Sequence, residues 1–428
     1  MEIKTFTQMD EKVYYETLPN GLQVYLMPKA GFNKTYATFT TKYGSVDNHF
    51  VPLSQTEPIV VPDGIAHFLE HKMFEKEDYD VFQKFSSHGA SANAYTTFNR
   101  TCYLFSATSD VAINLMTLLD YVQAPYFTEK TVEKEKGIIE EEIKMYDDNP
   151  DARAYFGVLS NLYVNHPMKI DIIGTVSSIY KITAEDLQVC YDTFYHPSNM
   201  ILFVVGDIDP MTLIQIIRDN QKAKHYKPAP DIQRFFPEEP ATVAKASSVE
   251  KMQVSTPKVF VGVKGVVDKN KTARELLKLD MALDVLLEMT FSGSSDYYED
   301  ILASGLANDS FGFESTYEKD ISYAMIGGDT LKPDELEASI KKQLLSLDKK
   351  PLDEAEFMRI KRKKIGQFLS ALNSVEFIAN RFTEYAFEGL TLFDVVDVLE
   401  DLQLADAQWV ANHYFKEEGF TVLKILPE

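Results

Sequence analysis

Two periods of hydrophobic and polar residues run through this chain of 428 residues. Period-two or continuously apolar runs predict strands. Residues 13–18 and 22–27 flank an Asn20-Gly21 turn signal. Residues 35–43 are rich in Thr and aromatics, which suit a pleated strand, and Gly44-Ser45 closes them. Residues 91–98 and 101–106 read as a hairpin turning at Asn99-Arg100. Residues 200–207 form a continuous apolar run between turn residues, the mark of a buried strand. Helical spacing covers 78–88, closed by Gly89, then 111–124, 130–146, 151–165 and 184–195, and residues 46–60 read as an irregular loop.

The pattern then restarts. Residues 221–240 carry Lys222, Lys224, Lys227 and four prolines at 228, 230, 237 and 240, and read as a linker. Beyond them come a strand at 259–263, a helix at 273–291 and a strand at 321–326 with Gly327-Gly328 as its stop. Helices follow at 333–347, 352–372, 375–387 and 403–415, and a strand closes the chain at 420–426. Strand, helix, strand, a run of helices, strand is also the order of the first half. The expectation is an α+β fold of two homologous halves, each a mostly antiparallel sheet covered by helices. The first half is placed at 1–226, the linker at 227–240 and the second half at 241–428.

Composition narrows the class. Apolar residues make up 45% and charged residues 25%, the profile of a folded globular protein, and the length calls for more than one core. No apolar run is long enough to span a membrane, and the N-terminal residues lack the basic and hydrophobic segments of a secretory signal. Two cysteines, Cys102 and Cys190, both in apolar contexts, read as reduced core thiols of a cytoplasmic protein. A formal net charge of -22 argues against nucleic acid or an anionic membrane as partner.

The chemistry concentrates in His67-Phe68-Leu69-Glu70-His71. On a helix, two histidines at i and i+4 share a face and can grip one metal ion, and Glu70 beside them can take a proton from a metal-bound water. This is the H-x-x-E-H order, and it occurs in a chain with only eight histidines. A catalytic zinc site needs a third ligand, and the acidic helix around 131–146 supplies candidates. Ile138, Ile139 and Ile143 mark its buried stripe. Glu135 and Glu142, two turns apart, flank the stripe, and their spacing leaves both open as the ligand. In the second half, Val285-Leu286-Leu287-Glu288-Met289 aligns beneath the motif with both histidine positions apolar.

Several linked segments resemble the pitrilysin (M16, inverzincin) family of metallopeptidases, and most the bacterial processing-protease-like subgroup, M16B. They are the stretch from His67 to Phe74; Ala92-Asn93-Ala94-Tyr95-Thr96; Glu135 to Ile143 with its Glu-x6-Glu pattern; Ile173-Gly174-Thr175; and Tyr195-His196-Pro197-Ser198-Asn199-Met200 leading into Val204-Val205-Gly206-Asp207. The resemblance implies a duplicated unit of the LuxS/metallohydrolase-like kind and a zinc-dependent endopeptidase acting on short or unfolded peptides. It implies Zn2+ held by His67, His71 and Glu142, with Glu70 as general base and Glu135 as the supporting glutamate that orients a liganding histidine. It makes Ala92, Asn93, Ala94, Tyr95 and Thr96 the edge strand that pairs with an extended peptide substrate. It also implies a homodimer, or a heterodimer with a related subunit. One departure stands out. Family members usually carry an Arg and a Tyr in the second half that stabilise the transition state. Residues 301–310 here contain no Arg, and Asn308 stands at the Tyr position. The resemblance therefore also admits a non-catalytic or partner-dependent subunit.

Overall fold

The computed structural model describes residues 1–428. It resolves into two compact units that do not follow the chain contiguously. The first comprises 1–143, 171–236 and 371–388, and the second 144–170, 237–370 and 389–428.

The first unit is built on a seven-stranded sheet. In spatial order its strands are Glu2–Phe6, Glu11–Thr17, Gln23–Pro28, Met200–Gly206, Thr35–Thr41, Thr101–Ala107 and Ala90–Thr96. All neighbours are antiparallel except Gln23–Pro28 with Met200–Gly206. The strands Thr35–Thr41 and Met200–Gly206 are buried throughout, because both sheet faces are covered. One face carries the main core, where Val24, Leu26, Phe39, Leu202 and Val204 meet helical residues such as Phe68, Leu69, Leu118 and Leu187. The other face is covered by the helix Val375–Ala386, whose Phe382 packs on Tyr25 and Phe203 at ring-centroid distances of 5.0 and 4.6 Å.

The second unit has five strands, in the order Ser247–Met252, Phe420–Pro427, Lys258–Lys264, Ser322–Asp329 and Gly312–Tyr317. The first pair is parallel and the rest antiparallel. Taken from Gln23–Pro28 onward, the first sheet has the same strand order and the same directions. The duplication expected from the element order is therefore present strand for strand, with a two-stranded hairpin added at the front of the first copy. The helix after the first copy's acidic helix, Pro150–Leu162, packs on the second sheet, where Gly157 lies against Leu423. Its counterpart in the second copy, Val375–Ala386, packs on the first sheet.

Three expectations change. Gly327 and Gly328 do not stop their strand, which runs to Asp329. A Cβ on Gly327 would lie 2.0 Å from the Val259 carbonyl oxygen, so glycine serves close strand approach there. Ile138 is 49% exposed and lies off the buried stripe, which is Val132, Lys136, Ile139 and Ile143. The loop 46–60 contains a two-residue ladder, His49–Phe50 with Ile59–Val60.

Candidate functional site

The motif helix is Ile65–Met73. Ile65, Ala66, Phe68, Leu69 and Met73 are buried in the first core, which leaves His67 and His71 on the remaining face, with ring centroids 4.6 Å apart. Gly64 starts the helix with φ of +86°, a left-handed conformation that favours glycine. It sits against Gly174, also left-handed at +81°. A Cβ on Gly64 would meet the Ile173 carbonyl oxygen at 2.4 Å, and one on Gly174 would meet the Asp63 oxygen at 2.7 Å. The Ile173-Gly174-Thr175 segment singled out in the sequence thus packs backbone to backbone against the start of the motif helix.

The acidic helix runs Glu129–Asp147. Its rotation about its axis is fixed by the buried stripe and by Lys136, whose Nζ donates to the Tyr180 carbonyl oxygen at 3.1 Å and pairs with Glu133. Glu141 faces water, and Glu140 accepts from the Tyr180 hydroxyl at 2.6 Å. Glu135 and Glu142 point to the histidines in different ways. Glu135 Oε1 lies 3.0 Å from His71 Nδ1. Glu142 reaches the far nitrogens, Oε1 at 3.7 Å from His67 Nε2 and Oε2 at 3.5 Å from His71 Nε2.

These distances decide the lone-pair directions. With Glu135 accepting from His71 Nδ1, the neutral form of that ring presents its Nε2 lone pair on the side of Glu142. The Glu142 carboxylate presents lone pairs back across a gap too long for a good hydrogen bond. Burial, with His71 adding to it, pushes the pKa of His67 down to about 3, so this ring is neutral too. Two imidazole nitrogens and one carboxylate oxygen thus converge within 4.8 Å of one another. A divalent cation fits that donor set, and N, N, O with a position left over is the pattern of catalytic zinc sites. Burial disfavours charge on His71, but the Glu135 hydrogen bond and the nearby Glu70 and Glu142 outweigh it and raise its pKa. The surroundings thus favour positive charge at this point. His67 Nδ1 is buried without a hydrogen-bond partner, so this ring lacks the brace that Glu135 gives His71.

Glu70 lies on the same helix and is 8% exposed. Burial pushes its pKa up, offset in part by Thr96 and His71. Thr96 Oγ1 donates to Glu70 Oε2 at 2.6 Å. Thr96 ends the strand Ala90–Thr96, which is the last strand of its sheet and leaves its outer side without a partner strand. Ala92 and Ala94 pack on the first core, Asn93 is exposed, and the Tyr95 hydroxyl donates to Asn380 Oδ1 at 2.9 Å on the opposite face. The Thr96–Glu70 bond and the Tyr95–Asn380 bond gave no signal in the sequence, since both join residues that only the fold brings together.

Comparison with known proteins fits this arrangement. Residues 61–176 match the family model described as insulinase (peptidase family M16), and residues 181–364 match the model described as the peptidase M16 inactive domain. A Bacillus subtilis protein named "uncharacterized zinc protease YmfH" is 54% identical over 426 residues, covering 99% of this chain and 98% of that protein. The chain belongs to peptidase family M16. Another relative, named zinc protease PqqE, from Helicobacter pylori, is 27% identical over 96% of this chain and 92% of its own length. The crystal structure of an M16-like peptidase from Alicyclobacillus acidocaldarius superposes with a TM-score of 0.94 at 39% identity, covering 98% of this chain and 99% of that one. No helix of this M16 chain is long and apolar enough to cross a membrane.

In the second unit of this M16 chain, the motif's counterpart lies on the helix Ala273–Phe291. Val285 is fully buried and Met289 packs on the second core, while Glu288, 8% exposed like Glu70, is paired with Lys363 and Lys364. Ion pairs occupy the glutamate there, and apolar side chains stand where the first copy has histidines.

Proposed function

We propose that this chain is a zinc-dependent endopeptidase cleaving short, extended or unfolded peptides. The observation that carries the reading is the convergence of His67 Nε2, His71 Nε2 and Glu142 on one point, with Glu70 on the same helix. His67, His71 and Glu142 would hold the ion, and Glu135 would hold His71 in the liganding tautomer. When bound, zinc supplies Lewis acidity that brings the pKa of a water toward neutrality and polarises a carbonyl. Glu70 takes the proton from the attacking water, keeps it within a buried carboxyl, and delivers it to the leaving amine nitrogen. Its burial suits it to that exchange, because desolvation draws its pKa toward the working range. The open side of Ala90–Thr96 offers main-chain N–H and C=O groups to an extended peptide, a pairing that tolerates varied side chains.

The test is Glu70→Gln in the full chain. It is expected to keep zinc at the wild-type stoichiometry and to lose at least about a thousandfold in turnover of an unstructured peptide. Cleavage persisting at the wild-type rate would remove Glu70 from its role.

A second reading rests on residues 301–310. They hold the end of the helix Asp296–Ala303 and a turn closed by Asn308, whose Oδ1 accepts from Ser310 N at 2.9 Å. With no Arg there and Asn308 in place of Tyr, a related M16 subunit would complete the site. Activity that appears only on adding such a subunit would select this reading.

A further inference from the structure

The edge strand and the motif helix meet at one side chain. Along Ala90–Thr96 the residues alternate between faces. Tyr95 points to the face covered by Val375–Ala386 and is anchored there through Asn380. Ala92, Ala94 and Thr96 form the opposite row, and the two alanines pack on the core that carries the motif helix. Alanine at those two positions lets helix and strand approach closely. Thr96, next in the row, spans the remaining gap, its Oγ1 donating to Glu70 Oε2 at 2.6 Å. At that distance the hydroxyl makes a short O–H···O hydrogen bond to a buried side chain, enough to select one carboxyl orientation. It engages one oxygen of Glu70, while Oε1 makes no hydrogen bond to the protein.

We propose that Thr96 is a positioning residue for Glu70, holding one carboxylate oxygen so that the other is aimed at the reacting water. This rests on the reading of Glu70 as general base. The strand that aligns the peptide main chain then also aligns the proton acceptor. Docking and chemistry share a single mechanical reference, and a peptide that shifts the strand also shifts the base.

The test uses the zinc-loaded full chain, a quenched unstructured peptide, and the variants Thr96→Val and Thr96→Ser. Valine keeps the β-branched shape and removes the donor. Thr96→Val is expected to lower kcat by about 10–100-fold with KM within about twofold and zinc content unchanged, and Thr96→Ser to stay within about threefold of wild type. A kcat for Thr96→Val equal to wild type overturns the proposal. So does a raised KM at constant kcat, which would make Thr96 a docking residue only. If Thr96→Val does not fold, Thr96→Ala against Thr96→Ser gives the same comparison. If the wild-type chain cleaves no peptide, the peptidase reading fails separately, and crystal structures decide the role of Thr96. A Glu70 side chain turned from its wild-type rotamer in the variant supports it, and an unchanged rotamer overturns it.

Discussion

His71 Nδ1 and Glu135 Oε1 lie 3.0 Å apart, and this contact separates two glutamates that the helix period treats alike. Glu135 and Glu142 both flank the buried stripe of one helix, yet one meets the near nitrogen of His71 and the other faces the far one. On the proposed reading, Glu135 braces a ligand rather than serving as one. Glu135→Ala is therefore expected to weaken zinc binding by about 10–100-fold. Glu135→Gln, whose amide oxygen still accepts from Nδ1–H, should lose less. Competition against a chelator measures both, and an unweakened Glu135→Ala would contradict the bracing role.

The backbone contact of Gly64 with Gly174 predicts a sharp contrast between two glycines. Gly64→Ala places a Cβ 2.4 Å from a carbonyl oxygen at a φ of +86° and is expected to cost at least about 2 kcal/mol. Gly137 lies mid-helix, exposed, with nothing within 4 Å of its Cβ position. Gly137→Ala should stabilise the protein by up to about 1 kcal/mol. Thermal unfolding in the presence of a chelator compares the two without a contribution from metal binding.

A third prediction concerns pH and the second unit. Glu239 accepts from the backbone N–H groups of Val164, Asn165 and His166 at 2.7–2.8 Å and pairs with the buried Lys264 at 2.7 Å. Burial works against its charge, but Lys264 and the three N–H groups outweigh it and hold its pKa below the usual carboxylate value of 4.5. A depressed carboxylate contributes stability above its unfolded pKa, and that contribution disappears as pH falls through the folded value. Glu239→Gln is expected to cost about 2–4 kcal/mol at pH 7, because it leaves Lys264 buried without a counter-charge. The gap from wild type should narrow as pH drops below about 4.5. Urea unfolding at a series of pH values reads this, and a gap constant with pH would contradict it.

Much of this was legible in the sequence where the physics is local. The helix Ala273–Phe291 begins at a Thr272–Glu275 capping box, and the strand Met200–Gly206 is apolar throughout because both its faces are covered. The spacing of His67, Glu70 and His71 likewise needs only one helix. Edge strands were harder. Ser247–Met252 and Gly312–Tyr317 lie at the two ends of their sheet and carry mixed polar residues, so their hydrophobic signal is weak. The helix Pro210–Ala223 carries a local signal too, an Asp209 cap followed by Pro at the first turn. What the sequence left open was whatever depends on two distant segments meeting. The choice between Glu135 and Glu142, the Thr96 hydroxyl on Glu70, and the sheet that each helix covers are all of that kind.

The crossing of Pro150–Leu162 and Val375–Ala386 has a consequence for how the gene can be divided. Severing the polypeptide in the proline-rich segment would leave the N-terminal fragment with Tyr25 and Phe203 uncovered, and the C-terminal fragment without the helix that lies on Leu423. Each piece would hold the other's missing cover. The two fragments are thus built for complementation rather than for separate expression.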